Sequence, residues 1–170
     1  MKYENIKMEG DADKVRYLLK KEGQHPMVVI GVNPSKATDK VPDATMARVM
    51  RLAELNGFDS FIMLNLYPQR STKPTGLDKE RDEVLHQENL KQIEAAVAGL
   101  DNPVVLCAFG NTIGVRRYLK DCLKDIVRVF EPKHPQWKQI GKPTAWGNPR
   151  HPSRAAYGEL ADFDMAAYLA

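Results

Sequence analysis

The chain has 170 residues, of which 43% are apolar and 28% carry a charged side chain. This composition is typical of a folded domain and excludes a disordered chain. The length favours a single domain over residues 1–170, whose core needs neither disulfides nor a metal to fold. The net charge of +3 is compatible with a nucleic-acid partner without indicating one. The basic residues are spread along the chain, apart from a group formed by Lys142, Arg150 and Arg154.

Nothing in the sequence predicts a membrane or an export signal. No apolar run approaches the roughly 18 residues of a membrane span, and the first residues, MKYENIKMEGDADK, lack the apolar core of a leader. We therefore expect a cytoplasmic protein with no membrane partner. Cys107 lies in an apolar run and Cys122 in a helical stretch, without metal-site spacing, which predicts two free buried thiols and no metal.

The first half of the chain alternates predicted strands with a helix. Residues 15–20 are compatible with a strand or a helical turn, and the turn-like segment after them favours a hairpin into the next strand. Residues 27–32 and 60–66 are short apolar runs, typical of strands buried on both faces. Between them, apolar residues repeat at helical spacing over 44–56, and Asp43 can cap this helix.

The next elements are predicted in the same way. A long amphipathic helix covers about 79–98, with His86 on its exposed surface. Residues 103–109 form a third strand, and Asn111 can cap a helix over 112–121. The apolar side chains of the long helix that we expect to face the core are Val84, Leu85, Ile93 and Val97.

A fourth strand is predicted over 125–130 and a short last helix over 159–169. The stretch 131–153 between them holds five prolines and two glycines, too many for long regular structure. This order predicts a three-layer α/β/α sandwich with a central, mostly parallel four-stranded sheet. In such sheets function collects at the carboxyl ends of the strands.

Two asparagines lie at predicted strand ends. Asn33 precedes Pro34, which holds it extended, so its amide can orient a water molecule or close an Asx turn. Asn65 lies in an apolar string, where its amide needs hydrogen-bond partners. It can read a nucleobase edge, since it presents an acceptor and donors in one plane, or it can satisfy nearby loop backbone.

Other candidate residues come from the loops. His151 lies between two prolines in NPRHPSR and can donate a hydrogen bond to a leaving group, or be a surface residue. His134 has the same two interpretations, and His25 is a turn residue. Asp43 is, with Asp39, one of two carboxylates in the loop after the first strand, and it can activate water as well as cap the helix.

Residues 110–114, GNTIG, match neither common phosphate-loop motif, so no nucleotide cofactor is predicted. Gly110 and Asn111 instead indicate a tight strand-to-helix turn, whose helix N-terminus can meet a phosphate. Trp137 and Trp146 lie in the proline-rich stretch. Each can stack on a base or pin the loop to the core.

The order of these segments resembles the uracil-DNA glycosylase superfamily over about residues 27–154. GVNPS ends the first strand, IMLN ends the second, VVLCAFGN closes the third with glycine, and HPS follows. The first motif is most similar to the mismatch-specific branch and the last to the branch with a histidine there. The resemblance implies a glycosylase-like fold.

Domain-of-unknown-function family 1643 is a nearer resemblance, covers most of the chain and implies no particular activity. The shared motifs are N-P-S-x-A at Asn33 to Ala37, D-x-T at Asp43 and Thr45, N-L at Asn65 and Leu66, a T-x-P-like loop at Thr72 to Pro74, and H-P at His151.

The glycosylase resemblance implies a role for individual residues. Asn33 positions the attacking water, Asn65 reads the base edge, and His151 hydrogen-bonds the departing base. Ser35 and Ser153, with nearby backbone amides, hold phosphates. Cleavage of an N-glycosidic bond passes through a cationic sugar and an anionic base, so it needs electrostatic stabilisation and a placed water but no cofactor.

Two departures from the superfamily pattern leave a second function open. Where the glycosylases carry a bulky apolar wedge, this chain has Arg154 followed by two alanines, and only the arginine can fill the gap. Residues 36–47 lack the aromatic residue that stacks on the base, for which Tyr67 is the expected substitute.

We therefore expect a glycosylase-like hydrolase acting on a nucleobase in DNA or a nucleoside. The alternatives are a non-catalytic domain that binds nucleic acid or a nucleotide in the same pocket, and a domain with a purely structural or protein-binding role. The predicted catalytic residues are Asn33, Asp43 and His151. The predicted substrate-binding residues are Pro34, Ser35, Asn65, Tyr67, Gly110, Asn111, Ser153 and Arg154.

Overall fold

The computed structural model describes all 170 residues. Seven strands are present: β1 (Ile6–Gly10), β2 (Arg16–Lys21), β3 (Pro26–Gly31), β4 (Ser60–Asn65), β5 (Val104–Cys107), β6 (Gln136–Ile140) and β7 (Leu160–Asp162). The α-helices are α1 (Ala44–Leu55), α2 (Glu83–Val97), α3 (Tyr118–Phe130) and α4 (Met165–Leu169). None of these helices is both long and apolar enough to cross a membrane.

The strands form one mixed sheet in the order β1-β2-β4-β3-β5-β6-β7. The four central strands, β4, β3, β5 and β6, are parallel, and antiparallel strands extend the sheet at both edges. After β3 the chain places β4 on one side and β5 on the other. The crossover that follows β3, with α1, and the crossover that precedes β5, with α2, therefore lie on opposite faces of the sheet. Between them a crevice opens at the carboxyl ends of β3 and β5.

Helices cover both faces of the sheet because the central strands are apolar on both sides. In β3, Val28 and Ile30 belong to a core shared with α2 and α3. Met27 and Val29, which point the opposite way, belong to a second core shared with α1. The predicted α/β class is therefore confirmed.

Helix α1 begins and ends close to its predicted bounds. Asp43 caps it as expected, since its side chain accepts a hydrogen bond from the Met46 amide at 2.9 Å. Both cysteines are free and buried, also as predicted.

The sheet has seven strands instead of the predicted four, because β1, β2 and β7 add antiparallel strands to the four parallel ones. The fourth parallel strand also lies in a different segment from the one predicted. Residues 125–130 form the end of α3, whose buried side chains recur at helical spacing rather than alternating. The fourth parallel strand is β6, inside the proline-rich stretch 131–153. It forms there because Pro135 precedes it and Pro143 follows it, so no proline interrupts the strand.

The predicted hairpin between residues 15–20 and the next strand is also wrong. β2 is a strand, but β4 lies between β2 and β3, and β2 pairs antiparallel with β1 and β4. The predicted last helix over 159–169 is instead strand β7 followed by the short helix α4.

Helix α2 is shorter than predicted, and although Ile93 and Val97 are buried as expected, its first turn differs from the prediction. It begins after Asp82, whose side chain accepts from the Leu85 amide. Val84 is 82% exposed rather than buried, whereas His86, expected on the surface, is fully buried. The His86 Nε2 lies 2.9 Å from a carboxylate oxygen of Asp125 on α3, and this pairing allows the imidazole to face the core.

Candidate functional site

A cleft of about 1070 Å³ opens at the carboxyl ends of the parallel strands, beside the crevice between β3 and β5. A concave site of this size at this position is typical of small-molecule binding in open α/β sheets. Nine of the eleven candidate residues line it: Asn33, Ser35, Asp43, Asn65, Gly110, Asn111, His151, Ser153 and Arg154.

Two candidate residues do not line the cleft. Tyr67 is fully buried: its hydroxyl accepts from the Asp82 amide at 3.0 Å and its ring packs against Tyr118. The prediction that Tyr67 stacks on a base is therefore wrong, because the chain directs this ring into the core beside α2 and α3. Pro34 is buried too, and its carbonyl accepts from the amide of Ser71. Pro34 thus shapes the turn after β3 without forming part of the cleft wall.

Asn33 is held in one orientation by the backbone around it. Its Nδ2 donates to the carbonyl of Pro34 at 3.0 Å and to that of Ser71 at 2.9 Å. Both donors of the amide are engaged, so the side chain presents its Oδ1 as an acceptor. Asn33 does not close the Asx turn left open as an alternative, since that turn needs Oδ1 to accept from the backbone.

Asn65, at the end of β4, is almost fully buried in the floor of the cleft. Its Oδ1 accepts from Nη2 of Arg16 at 3.3 Å, so its amide does not satisfy loop backbone as the alternative interpretation proposed. The guanidinium has only donors, so the Asn65 amide must turn its oxygen, and not its nitrogen, toward Arg16. Nδ2 forms no hydrogen bond within the chain, which leaves the amide donors of Asn65 available to a ligand.

Sequence reasoning missed Arg16. β2 runs antiparallel to β4, so the start of β2 lies beside the end of β4, and the Arg16 amide donates to the Pro68 carbonyl. The side chain is only 3% exposed and its Nη1 donates to the carbonyl of Ala37 at 3.2 Å. Burial, together with the nearby charge of Arg70, lowers the pKa of Arg16 to about 10. An arginine at the start of a predicted edge strand carries no sequence signal for a site.

The geometry around His151 sets its tautomer. Its Nδ1 accepts from the Ser153 amide at 3.1 Å and lies 2.7 Å from the Ser153 hydroxyl. A nitrogen that accepts from an amide carries no proton, so the neutral ring holds its proton on Nε2. Burial, helped by the charge of Arg154 and opposed by that of Asp43, lowers the pKa of His151. At neutral pH the ring is therefore an uncharged donor.

Two contacts hold the His151 loop in place. Arg48 on α1 donates to the carbonyls of Pro152 and Ala155 at 2.6 and 2.5 Å. Gly110, after β5, has a φ of +55° and lies so close to the loop that a Cβ there would stand 3.1 Å from the His151 Cβ. The glycine is required both by its backbone conformation and by this approach.

Both carboxylate oxygens of Asp43 are engaged by backbone donors. One accepts from Met46 as the helix cap and the other accepts from the Ala37 amide at 3.3 Å. Asp43 lines the cleft, but its geometry is that of a structural cap. Its charge acts on the neighbouring His151 and Arg16.

The rim of the cleft is formed by the loop between β6 and β7. Asn111 does not cap a helix as predicted, because its Oδ1 accepts from the Thr144 hydroxyl at 2.7 Å and from Asn148 at 3.0 Å. These bonds tie the loop to the end of β5. Trp146 lines the cleft and is 77% exposed, whereas Trp137 packs edge-on against Phe130 in the core. Trp137 therefore pins its segment to the core, whereas Trp146 leaves an exposed ring at the cleft.

A family model described as a protein of unknown function (DUF1643) matches residues 16–153. The chain belongs to this family. No curated protein and no solved structure matches the chain.

The segment that matches the DUF1643 family contains almost the whole cleft. It begins at Arg16 and ends at Ser153, so of the residues that line the cleft only Arg154 lies outside it. No three histidine, cysteine, aspartate or glutamate side chains are grouped so as to hold a metal ion.

Proposed function

We propose that this protein binds a nucleobase-containing ligand in the cleft and hydrolyses an N-glycosidic bond there. The observation that carries the proposal is that Asn33, Asn65 and His151 line one cleft, although they come from three distant parts of the chain. Each presents a different group to it: an amide acceptor, amide donors and a neutral imidazole. The cleft also lies at the switch point, where open α/β sheets bind their ligands.

The chemistry suits this set of groups. When the C1′–N bond breaks, its electron pair goes to the base, and the sugar becomes cationic. The Nε2 proton of His151 and the amide protons of Asn65 are donors for the negative charge that grows on the base. The Oδ1 of Asn33 can orient a water whose oxygen then bonds to C1′, while the proton that water loses passes to the base or to solvent. A strong base is not needed, because the attacked carbon is already electron-deficient.

Two further observations support a base as the bound group. Trp146 presents an exposed aromatic face at the cleft, and base–aromatic stacking contributes about 1–3 kcal/mol in other proteins. The four segments whose order resembles the uracil-DNA glycosylases all border this cleft, through Gly31 to Asn33 with Ser35, Asn65, Gly110 with Asn111, and His151 with Ser153. We extend the proposal to a glycosylase-like fold on this basis.

A specific observation favours a second candidate, a domain that binds a nucleotide or nucleic acid without cleaving it. Asp43 is the only carboxylate that lines the cleft, and each of its oxygens already accepts a backbone hydrogen bond, which makes it a weaker general base. The alanines after Arg154 supply no wedge to hold a flipped base.

Base release distinguishes the two candidates. Single- and double-stranded oligonucleotides with uracil, hypoxanthine or modified cytosines, and the matching nucleosides, are incubated with the protein, and free base is measured by chromatography. We expect His151→Gln and Asn33→Ala to lower the rate by about 10²–10³-fold. His134→Gln is the matched control, since this exposed histidine lies outside the cleft.

Different outcomes distinguish hydrolysis from binding without cleavage. Rates unchanged in both cleft variants contradict the assigned roles. Binding that depends on Asn65 without base release from any substrate rejects hydrolysis and supports the second candidate.

A further inference from the structure

A buried positive charge without a salt-bridge partner lies at the floor of the cleft, and Asp43 is the nearby carboxylate whose charge acts on it. The Arg16 guanidinium forms no ion pair, and its two hydrogen bonds go to uncharged oxygens, the Ala37 carbonyl and Asn65 Oδ1. Its Nε is buried and forms no hydrogen bond at all. Because a buried charge is costly unless it is paired at close range, this arrangement favours an additional anion in direct contact with the guanidinium.

Neighbouring residues increase the positive charge. Arg70 donates to the same Ala37 carbonyl as Arg16, at 3.1 Å, so two guanidinium groups converge on one oxygen. With a pKa of about 10, Arg16 stays protonated at neutral pH. Arg150 and Arg154 line the outer part of the cleft, and Asp43, with both oxygens engaged, is its one carboxylate.

The hydrogen-bonding groups at the floor are donors. Since Asn65 Oδ1 faces Arg16, the amide presents Nδ2 to the cleft, beside Gly31, where a Cβ would stand 2.9 Å from that nitrogen. A guanidinium next to an amide nitrogen matches a group that only accepts hydrogen bonds. A carboxylate or a phosphate is such a group, whereas the edge of a neutral base mixes donors with acceptors.

We propose that Arg16 and one of the two amide protons of Asn65 form an oxyanion subsite, and that the ligand of this cleft carries a carboxylate or phosphate group that binds there. The second amide proton of Asn65 remains available to the base. The inference rests on the proposed function in that the rest of the ligand is a nucleobase. A nucleoside monophosphate and a carboxylated pyrimidine both fit this description. Arg150 and Arg154 help to attract such a ligand to the cleft.

Matched pairs of charged and neutral ligands test the subsite. Binding to the wild type is measured by calorimetry at constant ionic strength for uridine against uridine 5′-monophosphate, and for uracil against orotate. We expect the charged member of one pair to bind about 10- to 100-fold more tightly, and which pair shows this identifies phosphate or carboxylate as the group. Equal affinities within both pairs overturn the proposal.

Variants then show which residue is responsible for the preference for the charged ligand. Arg16→Gln should remove it, Arg16→Lys should keep part of it, and Arg51→Gln, an exposed arginine of α1 outside the cleft, should leave it unchanged. A preference that survives in folded Arg16→Gln overturns the assignment. If Arg16→Gln does not fold, the comparison of Arg16→Lys with wild type decides, because an unchanged preference there would mean that the Arg16 guanidinium does not contact the anion and would overturn the assignment.

Failure of this inference and failure of the proposed function give different results. Base release and nucleoside binding without any preference for an anion overturn the subsite alone. A preference for an anion that depends on Arg16, without base release from any substrate, overturns hydrolysis alone.

Discussion

Arg16 Nη2 and Asn65 Oδ1 form a hydrogen bond of 3.3 Å, although 49 residues separate them along the chain. The bond joins the start of β2 to the end of β4, and it orients the amide that forms the floor of the cleft. It also explains why Asn65 is tolerated in an apolar strand. Its side-chain oxygen, Oδ1, accepts from Arg16, and its main-chain oxygen accepts from the side-chain amide of Asn89 on α2.

Gly31→Ala tests whether ligand affinity depends on the exact position of the Asn65 amide. The added Cβ would stand 2.9 Å from both Asn65 Nδ2 and Met63 Cε, so the amide must move. We expect ligand affinity to fall about tenfold and the free energy of unfolding to fall by about 1–3 kcal/mol. Calorimetric binding and denaturant unfolding measure the two effects. Gly99→Ala, where a Cβ meets nothing within 4 Å, is the control, and wild-type affinity in Gly31→Ala would contradict the importance of this amide.

Gly110→Ala is expected to displace His151. A φ of +55° is strained for alanine, and the Cβ would press on the His151 loop. The free energy of unfolding should fall by about 1–3 kcal/mol, and the NMR signals of the His151 ring should shift. Gly114 lies in the same 3₁₀ helix, Gly110–Val115, with open space around it, so Gly114→Ala should change neither. If the two variants behave alike, the contact with His151 is not a constraint.

Substitutions of Asp43 separate its cap from its charge. Asp43→Ala should lower the free energy of unfolding by about 1 kcal/mol, because the Met46 amide loses its partner. Asp43→Asn keeps an acceptor and should be nearly as stable as the wild type. Asp82→Ala, which removes a similar cap from α2 outside the cleft, should match Asp43→Ala in denaturant unfolding. A large loss of base release in Asp43→Asn would restore Asp43 as a catalytic residue.

The lowered pKa of His151 predicts how the stability of the folded protein changes with pH. The unfolded chain has a histidine pKa of about 6.5, so below that pH the unfolded state binds more protons than the folded state. The contribution of His151 to stability is fully present above pH 6.5 and is lost as pH falls through the folded pKa. An NMR titration of the His151 ring should give a midpoint below 6.5. A midpoint above 6.5 would mean that the imidazolium is favoured and that the neutral-donor role is wrong.

Trp146→Ala is expected to reduce ligand binding without reducing stability. Its side chain is 77% exposed, so the free energy of unfolding should change by less than about 0.5 kcal/mol. Loss of stacking should weaken binding of the base by about 5- to 150-fold. Trp137→Ala, by contrast, removes a ring packed on Phe130 and should destabilise the fold. Unchanged affinity in Trp146→Ala would mean that the base lies elsewhere in the cleft.

Local signals in the sequence were sufficient for the elements that position most of the site. β3 and β4 are continuous apolar runs, and α1 has both a capping aspartate and a helical apolar period, so their bounds were predicted closely. The predicted strands ended at Asn33, Asn65 and Gly110, and the carboxyl ends of parallel strands meet at one edge. β6 was missed because its residues, QWKQI, form neither an apolar run nor an alternating pattern, and the segment is a strand through its pairing with β5 and β7.

The sequence by itself determined the α/β class, the parallel core around β3 and the set of polar residues at its edge, because these depend on apolar runs and their spacing. Only the tertiary structure decided which side chains share the cleft. Arg16 lines the cleft because the antiparallel strand β2 lies beside β4. Tyr67 does not line it, because its ring packs in the core. Both outcomes depend on contacts between segments distant in the chain, and no local pattern of residues encodes such contacts.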